Sequence, residues 1–163
     1  MPWLGRKKIA FIPLHRPNAH PPDEPVPADY DGDGRADAAV FRTGDSSWLI
    51  RRSRDGQLQT VAMAGTSGLP VAADYDGDGL ADPALYDRGV WTVHESSGAV
   101  RVVRFGGAAA VPMPADYDGD RRADLAVFDA GEWSWIGSAS GTTTKTPFGS
   151  ATDVPIRIGA FMR

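Results

Sequence analysis

Apolar and polar positions along this chain come in short bursts broken by glycine, aspartate and serine, and the bursts recur in the same order. The first burst type is a near-continuous apolar run: Ala38-Ala39-Val40-Phe41, Ala84-Leu85-Tyr86 and Leu125-Ala126-Val127-Phe128. The second opens on tryptophan: Trp48-Leu49-Ile50, Trp91-Thr92-Val93 and Trp133-Ser134-Trp135-Ile136. The third is polar or alternating: Leu58-Gln59-Thr60-Val61, Val100-Arg101-Val102-Val103 and Thr143-Thr144-Lys145-Thr146. Runs of this length, rich in β-branched and aromatic residues, predict strands. The gaps between them, such as Asp87-Arg88-Gly89 and Asp129-Ala130-Gly131, are of hairpin size and supply the glycine that positive φ requires. No stretch carries helical periodicity, so the pattern predicts an all-β fold.

Each set of strands is preceded by the same acidic segment. Val26-Pro27-Ala28-Asp29-Tyr30-Asp31-Gly32-Asp33-Gly34-Arg35-Ala36-Asp37 returns as Val71 to Asp82 and again as Met113 to Asp124, 45 and then 42 positions on. That period matches four-stranded propeller blades, whose first strand here is the approach to the loop, as in Val71-Ala72-Ala73. The expected organisation is an N-terminal strand (Lys8 to Leu14) and proline-rich tether over 1–25, blades over 26–68, 69–110 and 111–152, and a partial fourth repeat or closing strand over 153–163. The fold class is thus a partial or small β-propeller of three four-stranded blades, and the array reads as truncated, because no acidic loop follows Asp153.

The loop pattern is Asp-x-Asp-x-Asp-Gly-x-x-Asp. Carboxylates stand at positions 1, 3, 5 and 9: Asp29, Asp31, Asp33 and Asp37; Asp74, Asp76, Asp78 and Asp82; Asp116, Asp118, Asp120 and Asp124. Position 7 (Arg35, Leu80, Arg122) offers a backbone carbonyl. A hard cation takes oxygen ligands of this kind, and calcium, which accepts 6 to 8 of them in flexible geometry, suits the set better than magnesium. A single such loop reads as a solvated turn; three in register read as metal sites, up to three calcium ions in all. Position 12 holds Val40, Leu85 and Val127 where a helical EF-hand needs glutamate, so the position-9 aspartates must close each site, directly or through water. In the third loop Arg121 replaces the position-6 glycine, which predicts backbone strain, an added positive charge and a weaker site.

Composition sharpens this picture in three ways. The formal charge of −4 conceals that the three loops hold twelve of the 21 acidic residues, leaving a basic remainder, so acid is concentrated at the loops. The absence of cysteine excludes a disulfide framework and thiolate zinc sites. No apolar run approaches the roughly 20 residues of a membrane-spanning helix. Arg6, Lys7 and Lys8 before a short apolar stretch imitate an export signal, but Pro13 cuts the stretch short, so no intact signal is read. Arg51, Arg52 and Arg54 read as a solvated edge, and without an aromatic-basic platform no nucleic-acid partner is expected. His15, His20 and His94 belong to no catalytic motif. Trp48, Trp91 and Trp133 recur with the period and are expected to pack between blades, whereas Trp135 has no counterpart tryptophan.

The loop, the Ala-Asp-x-Ala-Val-Phe second strand and the endings Phe105-Gly106-Gly107-Ala108-Ala109 and Phe148-Gly149-Ser150-Ala151 closely resemble FG-GAP and VCBS-type repeats of bacterial surface proteins and the integrin alpha-chain propeller. The resemblance covers about residues 26 to 157 and implies structural calcium and a role in adhesion, ligand binding or sugar recognition. The expected function is a calcium-stabilised, non-enzymatic binding or scaffold module, secreted or at the cell surface, with an unidentified protein or glycan ligand. Self-association to complete a propeller is a further expectation. The alternatives are a carbohydrate-binding lectin and a propeller-fold hydrolase using two carboxylates. The hydrolase is disfavoured because the same aspartates recur in every unit, whereas a catalytic pair is normally unique.

Overall fold

The computed structural model describes residues 23–63 and 65–156. The predicted N-terminal strand at Lys8 to Leu14 lies outside these residues. Twelve strands form three four-stranded antiparallel sheets, with no helix among the described residues. The first sheet comprises β1 (Glu24–Pro25), β2 (Ala38–Arg42), β3 (Ser47–Arg51) and β4 (Leu58–Ala62). The second holds β5 (Leu69–Pro70), β6 (Ala84–Asp87), β7 (Val90–His94) and β8 (Val100–Arg104). The third holds β9 (Val111–Pro112), β10 (Leu125–Asp129), β11 (Glu132–Ile136) and β12 (Thr143–Pro147). In every sheet the strands pair in chain order, the meander of a propeller blade.

The turns follow from local chemistry. Arg88 (φ 47°) with Gly89 (φ 90°), and Ala130 (φ 49°) with Gly131 (φ 92°), place two consecutive left-handed residues between paired strands. This primed turn geometry matches the natural twist of a hairpin. The first strand of each sheet is shorter and earlier than the sequence suggests. Leu69–Pro70 pairs with β6, and Ala73 rejoins the ladder only through an isolated bridge to Asp82. Pro25, Pro70 and Pro112 each end that strand, and its edge position tolerates the missing amide.

The core lies between the sheets. Ala28, Tyr30, Ala39, Phe41, Trp48 and Ile50 of the first blade pack with Ala81 and Leu85 of the second. Tyr75, Tyr86, Trp91 and Val93 of the second pack with Ala123, Leu125 and Val127 of the third. Trp48 and Trp91 are completely buried, as inter-blade packing requires, and burying an aliphatic side chain such as Ile50 or Leu85 contributes about 1.5–3 kcal/mol. The second strand of a blade therefore serves two junctions. Ala39 and Phe41 face the following blade, while the alternate positions in the next units, Leu85 and Val127, face the preceding one.

Candidate metal centres

Each acidic loop connects the first two strands of its blade and curls around its own first aspartate. Asp29 accepts the amides of Gly32 (2.7 Å), Asp33 (3.2 Å) and Gly34 (2.8 Å). Asp74 accepts those of Gly77 (2.6 Å) and Gly79 (2.9 Å), and Asp116 those of Gly119 (2.6 Å), Asp120 (3.2 Å) and Arg121 (2.9 Å). The amides at position 7, from Arg35, Leu80 and Arg122, donate to the position-5 carboxylates at 2.9, 2.8 and 2.8 Å. Among the described residues no donor reaches the position-7 carbonyls, which leaves them available as ligands.

The outcome is a cluster of carboxylates in every loop. Ligand oxygens of Asp29, Asp31 and Asp33 lie within 4.8 Å of one another, as do those of Asp74, Asp76 and Asp78, and those of Asp116, Asp118 and Asp124. Each triad is able to hold a metal ion. An all-oxygen donor set with a free carbonyl beside it fits calcium by charge and by hardness.

Position 9 has a second task that the sequence does not announce. Asp37, Asp82 and Asp124 are buried, and each spends both oxygens on amides. Asp37 accepts from Tyr30 (2.8 Å) and Ser53 (2.6 Å), Asp82 from Tyr75 (2.8 Å) and Ser96 (2.7 Å), and Asp124 from Tyr117 (2.8 Å) and Ser138 (2.7 Å). The same serines donate their hydroxyls to the position-5 aspartates: Ser53 to Asp33 (2.8 Å), Ser96 to Asp78, and Ser138 to Asp120 (2.6 Å). A serine from the turn between the third and fourth strands thus clamps the loop at two points in each blade. The tyrosine at position 2 adds a third tie, its hydroxyl donating to the carbonyl of Val26, Val71 or Met113.

Electrostatics follow the packing. Burial pushes the Asp82 carboxyl up to about 7. Burial raises Asp76 as well, with the charges of Asp78 and Asp74 adding to it. Asp33 and Asp120 move down, each chiefly because its serine donates a hydrogen bond to the ionised form.

Residues 22–83, covering the first blade and the second loop, match the FG-GAP-like repeat. The chain carries an FG-GAP-like repeat. No curated protein and no solved structure gives a significant match. The third unit lies beyond the matched segment, yet it has the same strand register, loop hydrogen bonds and serine clamp. One residue breaks the pattern of the FG-GAP-like loops: Arg121 has φ 73° where Gly34 and Gly79 have 83° and 89°. A non-glycine residue in that region costs about 1–2 kcal/mol, partly offset by the lower entropy of its unfolded form. Arg121→Gly is therefore expected to stabilise the chain by up to about 1 kcal/mol and to tighten the third loop for calcium severalfold. Gly34→Arg, whose Cβ meets no atom of the described residues within 4 Å but requires the same φ, is expected to do the reverse in the first loop. Urea unfolding and calorimetric titration of both variants check this; three equivalent sites in the parent chain would contradict it.

Proposed function

We propose that the chain is a non-enzymatic binding or scaffold module, stabilised by calcium and acting at or outside the cell surface. The observation that carries this reading is the recurrence of one loop geometry in all three blades, each with a carboxylate triad and a free carbonyl. Recurrence favours a structural ion, because every blade needs its loop closed whereas a catalytic pair is needed once. The residues that would hold calcium are the aspartates at positions 1, 3 and 5 in the first two loops and at positions 1, 3 and 9 in the third, with the position-7 carbonyl of each loop and, in the first two, position 9 directly or through water. The ion would supply positive charge where carboxylates otherwise repel.

The location rests on affinity and on the repeat class. FG-GAP-like repeats are typically extracellular, and calcium modules outside cells bind at roughly 10⁻⁴–10⁻³ M, a range that extracellular calcium fills and cytosolic calcium does not. Among the described residues no helix is long and apolar enough to cross a membrane. Calorimetric titration with calcium and, separately, magnesium tests the reading. Calcium is expected to bind at least about tenfold more tightly, because magnesium demands a stricter octahedron and gives up water reluctantly. Equal affinities, or no uptake of either ion, would overturn it.

A further inference from the structure

Both blade junctions inside the chain are built the same way. The position-8 amide of the later loop donates to the position-1 carbonyl of the earlier one: Ala81 to Asp29 and Ala123 to Asp74, both at 2.7 Å. The position-7 side chain of the later loop covers the position-4 glycine of the earlier one. A Cβ on Gly32 would sit 3.6 Å from Leu80, and a Cβ on Gly77 would sit 2.7 Å from Arg122. Beneath these loops Leu85, and likewise Leu125 with Val127, enter the aromatic face of the blade before.

Among the described residues, the outer faces of the first and third blades present the unmatched halves of this junction. On the third blade, no donor among the described residues reaches the Asp116 carbonyl, and a Cβ on Gly119 would have no atom of the described residues within 4 Å. Tyr117 and Trp133 are half-buried there, although their counterparts in the first two blades are covered. Trp135 pairs with Ala126 in the register in which Ile50 pairs with Ala39 and Val93 with Ala84. It occupies a junction position, stacks on Tyr117 at 5.1 Å and remains half-buried where Ile50 and Val93 are sealed. The described part of the tail does not serve as a cover of its own, since Val154 and Ile156 are 84% and 81% exposed.

On the first blade, the Ala36 amide has no acceptor among the described residues, Arg35 and Ala38 are exposed and Val40 is half-buried. These are positions 7, 8, 10 and 12, which in the later blades make the junction. The charges agree as well. Arg122 lies over the acidic second loop, and Arg35 is the same residue type, free to lie over the acidic third loop.

We infer that a second copy of this chain docks head to tail, the Arg35–Ala36–Ala38–Val40 face of each copy seated on the Asp116–Gly119–Trp135 face of the other, to close a six-bladed pair. A heterologous contact forms a ring when its rotation closes, and known propellers hold roughly four to eight blades, a range that two copies meet and three exceed.

Light scattering on the full chain at tens of micromolar tests this. The expected mass is twice the 17.4 kDa of one chain. Ala38→Arg, at an exposed strand position, and Trp135→Lys, on the opposite face, are each expected to halve that mass. Mixed in equal amounts, they are expected to raise it again, because each variant retains the face that the other lacks. A monomeric parent would overturn the inference, including one whose Trp135 face takes up a glycan instead. So would an Ala38→Arg variant that stays dimeric, which would mean pairing through the third blade alone, or a parent whose mass keeps rising with concentration.

Discussion

Replacing Asp82 by alanine is expected to lower the stability of the chain by about 3 kcal/mol or more, in chelator as well as in calcium. Asp82 is fully buried, and its two oxygens accept the amides of Tyr75 and Ser96. Alanine leaves both donors without a partner, at about 1–3 kcal/mol for each one that water cannot reach, and adds a cavity. Against the 5–15 kcal/mol that holds a typical domain, that loss is large. Asp82→Asn preserves the volume and one acceptor, so its cost should be smaller. Urea unfolding in chelator separates the two tasks of position 9. A residue that only ligated metal would be replaceable there with little effect, and an Ala variant within about 0.5 kcal/mol of the parent would contradict the bracing role.

Calcium is expected to raise the melting temperature by roughly 10–30 °C over chelator. At 10 mM ion and a dissociation constant of roughly 10⁻⁴–10⁻³ M, each site adds about 1.4–2.7 kcal/mol to the folded state. Three sites sum to about 4–8 kcal/mol, and each kcal/mol is worth about 2–4 °C in a chain of this size. Acid should act as a partial substitute. Asp82 titrates at about 7 in the folded chain against 3.8 in the unfolded one, so the folded state holds its proton more tightly. That contribution is fully present below about pH 4 and fades as pH rises through 7. The chelated chain should therefore gain stability from pH 7.5 down to 4.5. Asp33 and Asp120, whose values are lowered, withdraw their contributions only below about pH 4. His94, which burial holds below its ordinary value, opposes the trend as pH falls through 6.5, against the larger shift at Asp82. Because proton and calcium compete, the calcium-dependent gap should narrow over the same interval. A chelated chain with the same midpoint as the calcium-loaded one would refute the structural role of the ion.

Most of the fold is legible because the repeat is written three times. The registers Phe41 with Trp48, Tyr86 with Trp91 and Phe128 with Trp133 follow from aligning the units, and the strands fall where the apolar runs lie. The short first strands are less legible, since Pro25, Pro70 and Pro112 look like breakers until their edge position is known. The serine clamp was hidden by spacing. Ser96 and Ser138 follow their position-9 aspartates by 14 residues, but Ser53 follows Asp37 by 16, so a fixed offset misses the first one. Trp135 was visible as an oddity. Its meaning depends on a surface, because the position it shares with Ile50 and Val93 is interior only when another blade follows.

The most direct test of the central claim is a calorimetric calcium titration of the parent beside the variants Asp29→Asn, Asp74→Asn and Asp116→Asn. Each substitution removes the carboxylate around which one loop is wound, and the loops hold separate triads. The parent is expected to take up as many as three ions, the third more weakly, and each variant one fewer, with heat from the remaining sites preserved. A parent that takes up no calcium, or variants that bind as the parent does, would contradict the account.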